Sequence, residues 1–172
     1  MKKFLVSFTV LLLSAMMVFA QKAGDKISFS SKDMSGNTVT DEIFAKNKVT
    51  MINIWGTFCS PCIREMPDLG KINKEYKDKG FEIIGIPIDI IDGRANIIAD
   101  KKSTGDTIIK QTGADYIHVV PTREMMTTGL LRGIQAVPTT IFVDSDGKQI
   151  GNAYLGARSK RDWQKIIDKL LK

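Results

Sequence analysis

Short apolar runs alternate with longer amphipathic stretches along this chain, and that alternation predicts most of its elements. Val49 to Trp55 (VTMINIW) and Phe81 to Ile88 (FEIIGIPI) are apolar and rich in β-branched residues, the pattern of strands buried on both faces. Thr139 to Val143 reads as a further strand, and Asp146-Gly147 turns it into a partner at Gln149 to Leu155. Ile117 to Val120 is a short strand ended by Pro121, and Ile27 to Ser30 a short alternating segment. Ser35-Gly36-Asn37 is a turn, and Asp41 to Lys46 a short helical piece. Ser60 to Lys79 has helical composition and ends at Gly80, a natural C-cap. Arg94 to Thr112 is helical with an interruption at Ser103-Thr104-Gly105, and Thr122 to Arg132 is a further helical stretch. Arg158 to Leu171 is amphipathic, with Trp163, Ile166, Ile167 and Leu170 on one face. Strands alternating with helices predict an α/β domain, a central sheet with helices on both faces and a closing antiparallel hairpin.

The first twenty residues stand apart. Met1-Lys2-Lys3 is basic, and Phe4 to Ala20 is apolar except at Ser7, Thr9 and Ser14. Val18-Phe19-Ala20 puts small residues where a signal peptidase reads them, so residues 1–20 are expected to be a cleaved signal peptide or else a membrane anchor. Residues 21–172 then form one exported domain. No repeat, low-complexity stretch or linker divides it.

Composition narrows the function classes. The 172 residues are 43% hydrophobic and 26% charged, near the globular average of about 45–50% and about 25%, which excludes disorder and a polytopic membrane protein. The net charge is +6, but the basic residues are scattered. Lys71, Lys74, Lys77 and Lys79 alternate with Glu75 and Asp78 as on a solvated helix face, so no nucleic-acid partner is expected.

Chemistry concentrates at residues 55 to 67. Two cysteines, Cys59 and Cys62, follow a buried strand and open a helix. Unpaired N–H groups at a helix start carry partial positive charge and favour a thiolate, so Cys59 is expected to be an exposed, low-pKa nucleophile. Cys62, one turn on, can attack a mixed disulfide, and Pro61 stiffens the first turn. A zinc site would lack ligands, since only His118 could join the pair, so no metal and no cofactor are expected. A purely structural disulfide would close a ring too small to constrain much of the unfolded chain. Glu65 follows Cys62 by three residues and lies near it on the helix surface. It is read evenly as a proton-transfer group or as a carboxylate placed to favour the helix start. Pro138 is likewise either a strand-start proline or part of the site. Trp55 is core or a wall of the cysteine pocket. Pro67 is expected to kink its helix.

With these residues in place, the sequence resembles the thioredoxin superfamily and, within it, the exported TlpA-like and ResA-like thiol–disulfide oxidoreductases. The likeness runs from about Lys22 to Lys172. It rests on Asn53-Ile54-Trp55, Cys59-Ser60-Pro61-Cys62, Glu65-Met66-Pro67, Val137-Pro138-Thr139-Thr140 and Gly156-Ala157-Arg158-Ser159-Lys160. The resemblance implies a thioredoxin fold, a mixed sheet with an N-terminal extension and an insertion (89–135) before the strand that follows a cis proline at Pro138. It implies that Cys59, Cys62 and Glu65 are catalytic, and that Trp55, Phe58, Ser60, Pro61, Val137 and Pro138 contact substrate, Val137 through its backbone. Asn53 stands where cytosolic thioredoxins keep a buried aspartate, and Phe58 where the family usually has tryptophan. His118 is read as a strand-edge residue with no catalytic role. Met125, Leu130 and Leu131 are read as helix packing.

The function implied is an extracytoplasmic reductase of protein disulfides. It would act as a monomer, be recharged by a membrane thiol electron donor of the DsbD or CcdA kind, and serve cytochrome c maturation or oxidative repair. An oxidant or isomerase of the same fold, and a non-catalytic binding module, are the alternatives.

Overall fold

The computed structural model describes residues 26–172, so the segment 1–20 lies outside the described residues. In chain order the elements are β1 (Ser30–Lys32), β2 (Thr38–Thr40), β3 (Val49–Trp55), α1 (Ser60–Tyr76), β4 (Phe81–Pro87), α2 (Ala99–Thr112), β5 (Ile117–His118), α3 (Arg123–Thr127), β6 (Thr139–Asp144), β7 (Gln149–Leu155) and α4 (Lys160–Leu170). Short 3-10 turns cover Asp41–Lys46 and Lys77–Lys79. β1 and β2 form a small antiparallel hairpin, and the main sheet has the order β5-β4-β3-β6-β7. β4 runs parallel to β3 and to β5; β6 is antiparallel to both of its neighbours.

β3 lies at the centre of this sheet, and every one of its residues is buried. Alternate side chains serve opposite faces. Val49, Met51 and Trp55 join α1, α4 and Ile108 of α2 in one apolar layer. Ile52 and Ile54 join the opposite layer with Ile27, Phe29, Phe44, Met125, Leu130 and Leu131. Covering both faces removes the need for a polar face in β3, which is why its sequence does not alternate. The N-terminal extension is stitched to the sheet by Ile27 N–H to Gly147 O (2.7 Å) and Met34 N–H to His118 O (2.8 Å).

Several boundaries differ from the sequence reading. α2 begins at Ala99 rather than Arg94, because the Asp92 carboxylate accepts the N–H groups of Arg94 and Asn96 and holds a turn there. Gly105 does not interrupt α2; it is buried beside Met34 and Ile90, where a bare Cα suits the close approach. α3 stops at Thr127, after which Gly129 N–H and Leu131 N–H turn back onto Glu124 O and Met125 O. β5 is cut short because Val120 N–H bonds Lys32 O in the extension instead of the sheet. α1 ends as expected, through a 3-10 turn into Gly80, whose φ of +79° is left-handed.

Candidate active site

β3 carries the chain to Trp55, and the loop 56–58 delivers Cys59 to the N-cap of α1. Cys59 and Cys62 are joined as a disulfide with Cα atoms 5.3 Å apart. The Cys62 N–H donates to Cys59 Sγ at 3.2 Å, so the first sulfur takes the place of an oxygen in a helix cap. A sulfur that already accepts a helix-start N–H is favoured in its anionic form once the disulfide is opened. Pro61 occupies the first turn, where a missing N–H costs nothing. One expectation needs correction: Cys59 is not exposed in this oxidised state, at 4%, against 0% for Cys62. Both sulfurs are drawn into the apolar layer with Trp55 and Met66, and access to Cys59 is left to its immediate surroundings.

Those surroundings are held from the side. Asp89 accepts the Thr57 N–H (2.8 Å) and the Thr57 hydroxyl (2.5 Å), and Lys101 of α2 sits 3.6 Å from the same carboxylate. The next residue, Phe58, projects outward at 64% exposure, and its ring lies against Gly56. Ser60 is exposed and Pro61 half-buried. Trp55 is fully buried, so it is a wall behind the disulfide rather than a surface a substrate can touch in this state. The Val137–Pro138 peptide is cis. Val137 is half-buried and packs on the layer that holds both cysteines, whereas Pro138 is buried. Gly156 N–H donates to Pro138 O at 2.9 Å, which ties the proline to the turn after β7.

Glu65 lies in the second turn of α1 and is 4% exposed. Three donors meet its carboxylate. Asn53 Nδ2 reaches Oε1 at 3.1 Å, while Arg158 N–H (3.1 Å) and Trp163 Nε1 (3.3 Å) share Oε2. Burial still pushes the Glu65 carboxyl above the usual carboxylate range, against the pull of those donors and of the Arg158 guanidinium. A surface role for this carboxylate is therefore ruled out by its position. Asn53 also reaches Thr140 Oγ1 at 3.4 Å, so the amide links the helix to β6.

Asn53, Gly85 and His118 are in register across β3, β4 and β5. His118 lies in the edge strand β5, as its sequence position suggested, but its side chain turns inward. It is buried, donates from Nε2 to Ala114 O at 3.0 Å, stacks on Tyr116 and meets Trp55 edge-on at 5.6 Å. Its ring lies over Gly85, where a Cβ would come within 2.2 Å of Nδ1. Burial lowers its pKa to about 4, so the ring is neutral at ordinary pH. The residues that sequence reasoning did not assign to the site are Arg158, Trp163, Asp89 and Thr57. Only Arg158 carried a signal, as part of the Gly156–Lys160 landmark.

Comparison with known proteins places this geometry. The Redoxin family profile matches residues 22–169. The thiol-disulfide oxidoreductase ResA of Bacillus thuringiensis subsp. konkukian is 30% identical over 143 residues, covering 83% of this chain and 75% of that protein. ResA of Halalkalibacterium halodurans is 28% identical over 128 residues, covering 74% and 65%. A thioredoxin family thiol:disulfide interchange protein from Chlorobium tepidum TLS superposes with a TM-score of 0.71 at 25% identity, over 89% of this chain and 99% of that one. The thioredoxin domain of a thiol-disulfide oxidoreductase from Bacteroides vulgatus gives 0.69 at 24% identity, over 89% and 100%, and shows the fold.

Proposed function

The chain belongs to the Redoxin family and is a thiol–disulfide oxidoreductase, and from that premise we propose that it reduces protein disulfides outside the cytoplasm through Cys59 and Cys62. The observation that carries this reading is the Cys59–Cys62 disulfide at the start of α1 with the buried Glu65 carboxyl one turn beyond it.

The cycle begins from the dithiol. The Cys59 thiolate attacks one sulfur of a substrate disulfide, forming a mixed disulfide and expelling the other sulfur as a thiolate. Cys62 then gives its proton to the Glu65 carboxylate and attacks Cys59 Sγ. The substrate leaves as a dithiol once its sulfurs are protonated, and the enzyme ends as the disulfide described above. Two electrons have moved from enzyme to substrate. The backbone groups of Val137, beside the cis peptide, pair with an extended substrate segment, and Phe58, Ser60 and Pro61 line its approach. A membrane dithiol donor of the DsbD or CcdA kind restores the enzyme. Residues 1–20 act as the export signal or anchor, and 21–172 as the single domain. The physiological setting is cytochrome c maturation or oxidative repair, and the chain acts as a monomer.

The reduction potential tests direction. A value near about −270 mV is expected for a reductase, whereas a value near about −120 mV would make the protein an oxidant. A pair that does not exchange with thiol buffers would leave only a binding role. C62S is expected to accumulate the mixed disulfide on Cys59.

A further inference from the structure

One cation is built into the wall of the Glu65 site. The Arg158 side chain curls back over its own loop, where Nη1 donates to Leu155 O (3.2 Å) and Gly156 O (3.0 Å). Its guanidinium lies 4.9 Å from the Tyr154 ring centroid and 5.1 Å from that of Trp163. Two carbonyls and two aromatic faces thus fix the charge in one place. The Trp163 beneath it donates Nε1–H to Glu65 Oε2, and the Arg158 main chain donates to the same oxygen. One residue therefore supplies a hydrogen bond to the carboxylate and a positive charge on the ring that supplies another. A cation over an indole face draws electron density from the ring and makes its N–H a stronger donor.

The other groups facing Glu65 bring no charge of that sign. β3 contributes the Asn53 amide, with Thr140 of β6 behind it, and α4 contributes the Trp163 indole. Tyr116, before β5, is buried and stays a neutral phenol, its proton held more tightly by burial and by the Glu65 charge. In α1 the near neighbour is Cys62, locked in the disulfide.

We propose that Arg158 is the positioning residue that favours the charged form of the Glu65 carboxyl against its burial, by holding Trp163 and the 156–158 turn against it. The consequence for Cys62 rests on the proton role given to Glu65 above. The assignment of Arg158 to Glu65 does not.

The test follows the Glu65 carboxyl resonance by NMR against pH in the full oxidised chain, where neither cysteine titrates. The resonance is identified by its loss in E65Q. R158Q removes the charge while keeping a polar side chain and the main-chain N–H to Glu65, and its Glu65 midpoint is expected about one pH unit above wild type. R158K keeps the charge without the planar stack, and less than half of that shift is expected. Equal midpoints in wild type and R158Q, or equal shifts in R158Q and R158K, would overturn the proposal. The pH profile of disulfide exchange is measured on the same variants. A moved carboxyl midpoint with an unmoved exchange profile supports the assignment of Arg158 and removes Glu65 from the proton path of Cys62.

Discussion

Cys62 and Glu65 sit one turn apart in α1, and neither is open to solvent, at 0% and 4% exposure. A thiol in that position has no water to take its proton, and the carboxyl beside it has few competitors for the task. E65Q preserves the shape of the site but replaces one of the two acceptor oxygens with an NH2 donor, so the donors on that side lose their acceptor. Resolution of the Cys59 mixed disulfide by Cys62 is expected to slow about 100-fold in E65Q near neutral pH, measured by stopped-flow with a fluorescent disulfide substrate. An unchanged rate would remove Glu65 from the proton path.

The same substitution has a stability signature of opposite sense. Glu65 holds its proton more tightly folded than unfolded, because burial raises its pKa above 4.5. Its contribution is complete below the unfolded pKa and is lost as pH rises through the raised folded one. E65Q lacks that loss, so the gap between its urea midpoint and that of wild type is expected to move in favour of E65Q from pH 4 to neutral pH. A gap that moves in favour of E65Q on acidification would contradict the assignment.

His118 acts in the other direction. Folding lowers its pKa to about 4 from 6.5, so stability is present above pH 6.5 and is lost as pH falls toward 4. Between pH 7.5 and pH 5 the wild type is expected to lose about 2 kcal/mol that H118F retains. Urea titrations at the two pH values measure the difference. The partner position gives an independent check: G85A forces a methyl against the imidazole and is expected to cost about 1–3 kcal/mol. Combining G85A with H118A should recover most of that cost.

Phe58 is the large side chain most clearly offered to solvent beside the disulfide, at 64% exposure. F58A is expected to leave stability within about 0.5 kcal/mol of wild type. It should raise KM for protein disulfides while leaving exchange with a small-molecule disulfide unchanged. Equal effects on both substrates would place Phe58 in the chemistry instead of the approach.

The sheet was legible where local pattern and burial agree. β3 and β7 match their sequence reading residue for residue, because one is covered on both faces and the other follows a tight Asp146-Gly147 turn. The placement of Cys59 and Cys62 was equally legible, since a strand, two cysteines and a helix are adjacent in the chain. What surrounds Glu65 was not. Its three donors come from Asn53, Arg158 and Trp163, 12, 93 and 98 positions away, and no local pattern reports such distances. The edge-strand placement of His118 was legible, but the burial of its ring was not, because it rests on Gly85 in the neighbouring strand β4, with the whole of α2 between them in the chain. The start of α2 was missed because side-chain capping by Asp92 outweighs helical composition over 94–98.

Asp89, the first residue of the insertion, grips Thr57, the residue two before the first cysteine. The segment that opens at Asp89 and the redox loop are therefore physically coupled. A chimaera that exchanges residues 89–135 with a relative transplants one half of a clasp, and it will keep its loop in order only if position 57 travels with it.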